Sequence, residues 1–211
     1  LAMCLAGPLG AAEKRTVLAV FAHPDDETTV GPLLARYARE GHAVYLATLT
    51  SGQKGVNPAT KLSAGDELGA AREAELRCAA KKLGIREPFL LQFQDQGIST
   101  PPAMNQVVER LREIIHQTRP DVILTWGPEG LSGHPDHRAA GNLTTQVFQQ
   151  RGLLKHRPRK LYYVAFPESR FLQPPPGSLQ QAMGLRTVAD SFITTEVHCP
   201  DTMEAAYEAI P

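Results

Sequence analysis

Thr16-Val17-Leu18-Ala19-Val20-Phe21-Ala22-His23-Pro24-Asp25-Asp26-Glu27 is the stretch that decides the fold. Its first seven residues carry no charge and form one apolar run, bounded by the charged Glu13-Lys14-Arg15 on one side and by a His and three carboxylates on the other. A short, unbroken apolar run of this kind reads as a strand buried on both faces, as in a parallel sheet. Outward from it, helix and strand patterns alternate. Residues 32–40 have helical spacing (Leu33, Leu34, Tyr37) closed by Gly41, and 43–50 form a second strand. A helix over 65–83 closes at Gly84, and 89–93 form a third strand. Thr100 is placed to cap a helix with Pro101 in its first position, and Met104, Val107, Val108, Leu111, Ile114 and Ile115 then share one face. Strand four is 121–126, a helix covers 135–150, strand five is 160–166, and 188–197 reads as a sixth.

This alternation predicts an α/β fold. The expected form is a Rossmann-like, mostly parallel sheet with helices on both faces, in strand order 3-2-1-4-5 plus a C-terminal strand. Ligands of such sheets sit beyond the C-terminal strand ends, where the strand order reverses. With that order, the loop after Ala22 lies beside the loop after Trp126. The second loop reads Gly127 to Gly133, then His134-Pro135-Asp136-His137. Two loops dense in imidazole and carboxylate are thus expected to meet at one crevice.

Composition narrows the choices. The 211 residues carry 22 Lys+Arg against 22 Asp+Glu, a net charge of zero, so neither nucleic acid nor an anionic membrane is an expected partner. No apolar run approaches the roughly 20 residues of a membrane-spanning helix. Cys4, Cys78 and Cys199 are too scattered for a disulfide framework or a cysteine zinc site. Cys78, on a helix, is expected to be a small core residue. Neither glycine-rich phosphate signature is present, so the first loop offers a dinucleotide no cradle; its acidity suits a divalent cation instead.

Two imidazoles and a carboxylate with one open position suit catalytic zinc, whereas carboxylates alone would suit magnesium or calcium. Iron or another divalent ion could use the same ligands. His134 and His137 are three apart at a helix start, so both can face the crevice, and Pro135 fits the first helical position. Taken singly, each of these histidines is more often a surface or capping residue, and an Asp pair after a strand is often a helix-start charge. Two such clusters on neighbouring strand ends shift the balance to a metal. Arg72 has support of its own: it lies on a helical stripe with Leu68, Leu76, Ala79 and Leu83, where a guanidinium needs a reason. Snorkelling to the surface, or pairing with Glu75, is the alternative to reaching a ligand. Asp95 stands in the loop after strand three, before Gly97, where a turn carboxylate is equally ordinary. His42, His116, His156 and His198 have no partner motif and are expected to be surface or structural residues.

The two motifs resemble those of the PIG-L/LmbE-like family of zinc-dependent N-deacetylases. The family's A-H-P-D-D-E occurs here as Ala22 to Glu27 and its H-P-D-H as His134 to His137, both without a mismatch. Thr50-Ser51-Gly52, Arg72-Glu73-Ala74-Glu75-Leu76 and Trp126-Gly127-Pro128 fit as well, and the likeness spans about 16–166. The resemblance implies His23, Asp26 and His137 as metal ligands, Asp25 as general base and His134 as stabiliser of the transition state. It also implies Arg72 and Asp95 as sugar contacts. Asp136, between the histidines, is placed to orient one of them, and Glu27 is expected to be a supporting charge rather than a ligand. The implied activity is zinc-dependent removal of the N-acetyl group from an N-acetylglucosamine-containing small molecule or glycan. An amidase for a glucosamine-containing thiol conjugate and a silent sugar-binding module are the alternatives; an intact Asp25 argues against the last.

The apolar stretch 1–12 ends in small residues and reads as the remnant of a secretory signal, with a frayed terminus as the alternative. The signal reading implies a secreted or periplasmic protein. A single domain is expected over 13–211, with a helical pattern beginning at 203–209 and the domain continuing beyond the end. The irregular span 167–184 is expected either to line the substrate entrance or to be mobile.

Overall fold

A computed structural model describes residues 13–56, 61–171 and 184–210. The signal-like stretch 1–12 and positions 172–183 of the irregular span lie outside them. Five strands form one sheet: β1 (Thr16–Phe21), β2 (Ala43–Thr50), β3 (Phe89–Phe93), β4 (Val122–Trp126) and β5 (Lys160–Val164). The order is β3-β2-β1-β4-β5, and every pairing is parallel. β1 is central. Its register runs from Thr16 opposite Ala43 to Phe21 opposite Thr48 on one side, and from Val17 opposite Val122 to Ala19 opposite Leu124 on the other. Val17 to Phe21 are all buried, as an unbroken apolar run in a doubly covered strand must be.

The helices are α1 (Gly31–Arg39), α2 (Asp66–Lys82), α3 (Pro101–Thr118), α4 (Pro135–Gln149), a single turn α5 (Glu168–Phe171) and α6 (Met203–Ala209). α1 and α2 pack with α6, whereas α3 packs on α4. Right-handed crossovers place the first pair on one face of the sheet and the second pair on the other. α3 buries Val107, Val108, Leu111, Ile114 and Ile115, the stripe predicted for it. Thr100 does stand before that helix, but its hydroxyl donates to the Gly97 carbonyl and caps nothing. α4 lies close against β4 because residue 141 is glycine: a Cβ there would sit 2.3 Å from the Trp126 carbonyl oxygen.

Two expectations are corrected. Among the described residues, 188–197 adds no strand. Val188 makes one isolated parallel bridge with Pro167, and Asp190–Phe192 closes into a 3-10 turn. The Asp190 carboxylate accepts from the Ser169 backbone N–H and hydroxyl, which ties the segment to α5 instead of a ladder. Cys78 is exposed. The buried stripe of α2 is Leu68, Gly69, Glu73, Leu76, Ala79 and Ala80, and a residue two beyond Leu76 points to the opposite side.

Candidate active site

The crevice forms where the strand order reverses, between β1 and β4. After β1 the backbone turns at Asp25, which has φ 97, and enters a 3-10 turn over Asp26–Val30. That turn points the Asp26 side chain back at the strand end. Its Oδ2 accepts from Ala22 N (2.9 Å), His23 N (3.0 Å) and the Trp126 indole N–H (3.2 Å). After β4 the loop leads to His134 at the N-cap of α4, where its Nδ1 accepts from Asp136 N at 3.2 Å. Pro135 is in the first turn, as predicted. His137, one turn in, donates from Nδ1 to the Gly130 carbonyl at 3.1 Å. That bond orients the ring so that Nε2 faces the crevice.

Donor atoms of three side chains meet there. His137 Nε2 lies 3.1 Å from Asp26 Oδ1 and 3.2 Å from His23 Nδ1, and His23 Nδ1 lies 3.9 Å from Asp26 Oδ2. Ligands about 2.1 Å from a tetrahedral zinc ion are separated by about 3.4 Å, so this donor set fits such an ion. His134 stands beside it: one nitrogen each of His23, His134 and His137 lies within 4.8 Å of the other two. The structure therefore brings together His23, Asp26 and His137, predicted from two distant segments.

The other nitrogen of His23 is held by two carboxylates. Its Nε2 is 3.4 Å from Asp136 Oδ2 and 3.4 Å from Asp95 Oδ1. Asp136 is completely buried and also accepts from Gln96 N at 2.6 Å, while its Oδ1 has no partner. The histidine that Asp136 steadies is thus His23. Asp95 lies in the pocket, as expected, but is partly committed: its Oδ2 accepts from Lys54 N at 2.8 Å. Burial would depress the His23 imidazole, yet its bonds to Asp136 and Asp95 and the charge of Asp26 prevail and push it up to about 10. Burial likewise works against the Asp95 carboxylate, but His23 and the Lys54 N–H hold it down at about 2. Asp26 is held at about 2 in the same way, chiefly by His137. His134 is lowered by burial and by the neighbouring His23 and His137.

Asp25 is gripped from two sides. Its backbone N–H donates to Glu27 Oε2 at 2.9 Å, and its Oδ2 pairs with Arg72 Nη2 at 2.6 Å. Arg72 also donates to the carbonyls of Gly52 (2.8 Å) and Pro24 (2.5 Å). Arg72 thus turns inward, not toward Glu75 or the surface. A Cβ at Gly52 would stand 2.0 Å from its Nη1, so glycine is needed for this approach. Desolvation within the crevice raises the Asp25 carboxyl, although its side chain keeps 63% exposure, and Arg72 opposes the rise. Glu27, itself buried, is raised by burial to about 7, against its bonds to backbone N–H groups.

The residues enclose a cavity of about 510 Å³, lined among others by Asp25, Arg72, Asp95, Gln96, His134 and His137. Trp126 and Gln96 are supports that reading the sequence missed. Trp126 carried a signal, as the single tryptophan placed directly before the second loop; Gln96 acts through its backbone and carried none.

Comparison with known proteins bears on this geometry. The family described as PIG-L, GlcNAc-PI de-N-acetylase, matches residues 18–148, which include both motifs. The 1D-myo-inositol 2-acetamido-2-deoxy-alpha-D-glucopyranoside deacetylase of Mycobacteroides abscessus is 32% identical over 224 residues, covering 93% of this chain and 79% of its own. Among solved structures, the N,N'-diacetylchitobiose deacetylase of Pyrococcus horikoshii superposes with a TM-score of 0.65 at 23% identity, over 94% of this chain and 69% of its own. GalB, the 4-carboxy-2-hydroxymuconate hydratase of Pseudomonas putida KT2440, reaches 0.67 at 18% identity, over 93% and 77%. These last two likenesses establish the fold alone, and a hydratase among them shows that the fold does not dictate the reaction. The family match over more than half of the sequence, together with the 32% relative, shows that the chain belongs to the PIG-L family of de-N-acetylases.

Proposed function

We propose that the protein hydrolyses the acetamide of an N-acetylglucosamine unit joined to a further small molecule or glycan, with zinc held by His23, Asp26 and His137. One observation carries this reading: His137 Nε2 lies 3.1 Å from Asp26 Oδ1 and 3.2 Å from His23 Nδ1, with Asp25 in the cavity these side chains line. The named relative acting on an acetamido-glucopyranoside of inositol supports the substrate class. Zinc, when bound, supplies Lewis acidity and makes hydroxide available at neutral pH.

The chain's own groups do the remainder. Arg72 occupies Asp25 Oδ2, so Oδ1 is the oxygen open to take the proton of the attacking water. His134 accepts at Nδ1 from its own helix, so its proton sits on Nε2. A neutral His134 therefore still donates to the acyl oxygen as negative charge develops there. Asp25 then returns its proton to the departing amine. Arg72 has N–H groups left over and Asp95 keeps free lone pairs, and both line the cavity, which suits them to sugar hydroxyls.

An acetate-release screen over free, lipid-linked, inositol-linked and oligomeric N-acetylglucosamine, with and without a chelator, tests the reading. Chelator-sensitive release from at least one of these is expected. Release that survives complete metal removal overturns it.

A further inference from the structure

Trp126 is the chain's single tryptophan and has no exposed surface. It ends β4, and its side chain meets Phe21, His137 and Asp26. Its ring packs on Phe21 with centroids 4.6 Å apart. It stacks on the His137 imidazole at 5.2 Å, tilted by 20°. Its indole N–H donates to Asp26 Oδ2 at 3.2 Å. A buried indole N–H needs an acceptor, but packing in the core does not require that acceptor to be the carboxylate at a metal centre.

The consequence lies in what anchors Oδ2. Asp26 Oδ2 already accepts from Ala22 N and His23 N. Those two donors belong to the loop that carries Asp26 and would move with it, whereas the indole N–H alone ties Oδ2 to β4. Oδ1, 3.1 Å from His137 Nε2, is the oxygen that faces that histidine, while His23 Nδ1 lies 3.9 Å from Oδ2. A carboxylate free to turn can grip a cation with both oxygens, and this one is prevented from turning.

We propose that Trp126 is a positioning residue that restricts Asp26 to a single metal bond through Oδ1 and so keeps a coordination place open for the substrate carbonyl. This rests on the reading of His23, Asp26 and His137 as the ligands. The indole acts on two of the three at once, holding the carboxylate by its N–H and the His137 ring by its face.

The test uses Co2+ as the metal, in the wild type and in two variants. One is Trp126→Phe. The other carries 3-benzothienylalanine at position 126, which keeps the shape of indole and puts sulfur in place of the N–H. Far-UV circular dichroism checks the fold; visible and X-ray absorption read the cobalt environment. In both variants about one further oxygen is expected in the coordination shell, with weaker visible bands than in the wild type. An unchanged coordination number in the benzothienylalanine protein overturns the proposal and leaves the metal reading standing. A wild type that takes up no cobalt, or an Asp26→Ala protein with the wild-type spectrum, overturns the metal reading and this proposal together.

Discussion

Arg72 Nη2 lies 2.6 Å from Asp25 Oδ2, and the same guanidinium also bonds the carbonyls of Pro24 and Gly52. A helix after the second strand therefore braces the acidic loop after the first. Asp25→Asn keeps the size of the side chain and removes its basicity. Acetate release is expected to fall by about 10²–10⁴-fold with zinc content unchanged, and full activity would remove Asp25 from the base role. Arg72→Lys keeps the charge but replaces a planar fork by a single nitrogen, which cannot span the acceptors that Arg72 meets with Nη1 and Nη2, so kcat is expected to fall by about tenfold or more while zinc stays bound. Kinetics beside elemental analysis reads both.

His137→Ala removes one of three converging side chains and also one of the donors to the Gly130 carbonyl. The purified variant is expected to carry little zinc. A metal content equal to wild type would exclude His137 as a ligand.

Metal uptake should release protons. In the metal-free site the His23 imidazole is raised to about 10, so it carries a proton at neutral pH. Its Nδ1 must lose that proton before it can bind an ion. Affinity is therefore expected to rise with pH up to about 10 and to weaken as the medium turns acidic. Zinc titration calorimetry in buffers of different ionisation enthalpy counts the protons, and a heat independent of the buffer would show His23 already neutral.

Gly141→Ala places a Cβ 2.3 Å from the Trp126 carbonyl oxygen. α4 must then shift away from β4, carrying His134 and His137 with it. A loss of about 1–3 kcal/mol in thermal unfolding is expected, together with weaker zinc retention. An unchanged melting temperature would mean that the helix moves without cost.

The sheet order and the meeting of the two loops were legible because strand and helix periods are local properties of the chain. The apolar run 16–22, continuous where a half-exposed strand would alternate, marks the centre of the sheet. The segment 188–197 misled because its composition suits a strand while Asp190 binds Ser169 and closes a turn. Cys78 misled for a different reason: the position was read as core from residue type, when the spacing from Leu76 already turns it outward.

The sequence by itself determined the α/β alternation, the strand that sits centrally and the six side chains whose chemistry suits a metal-assisted hydrolysis. Only the tertiary structure decided which atom of each faces which neighbour. Asp136 serves His23 rather than the histidines beside it in the chain, Asp26 turns Oδ1 and not Oδ2 to His137, and Arg72 takes one oxygen of Asp25 and leaves the other. Those choices join residues up to 113 positions apart. They follow from strand register and from the packing of α4 on β4, which set distances that no spacing along one chain can carry.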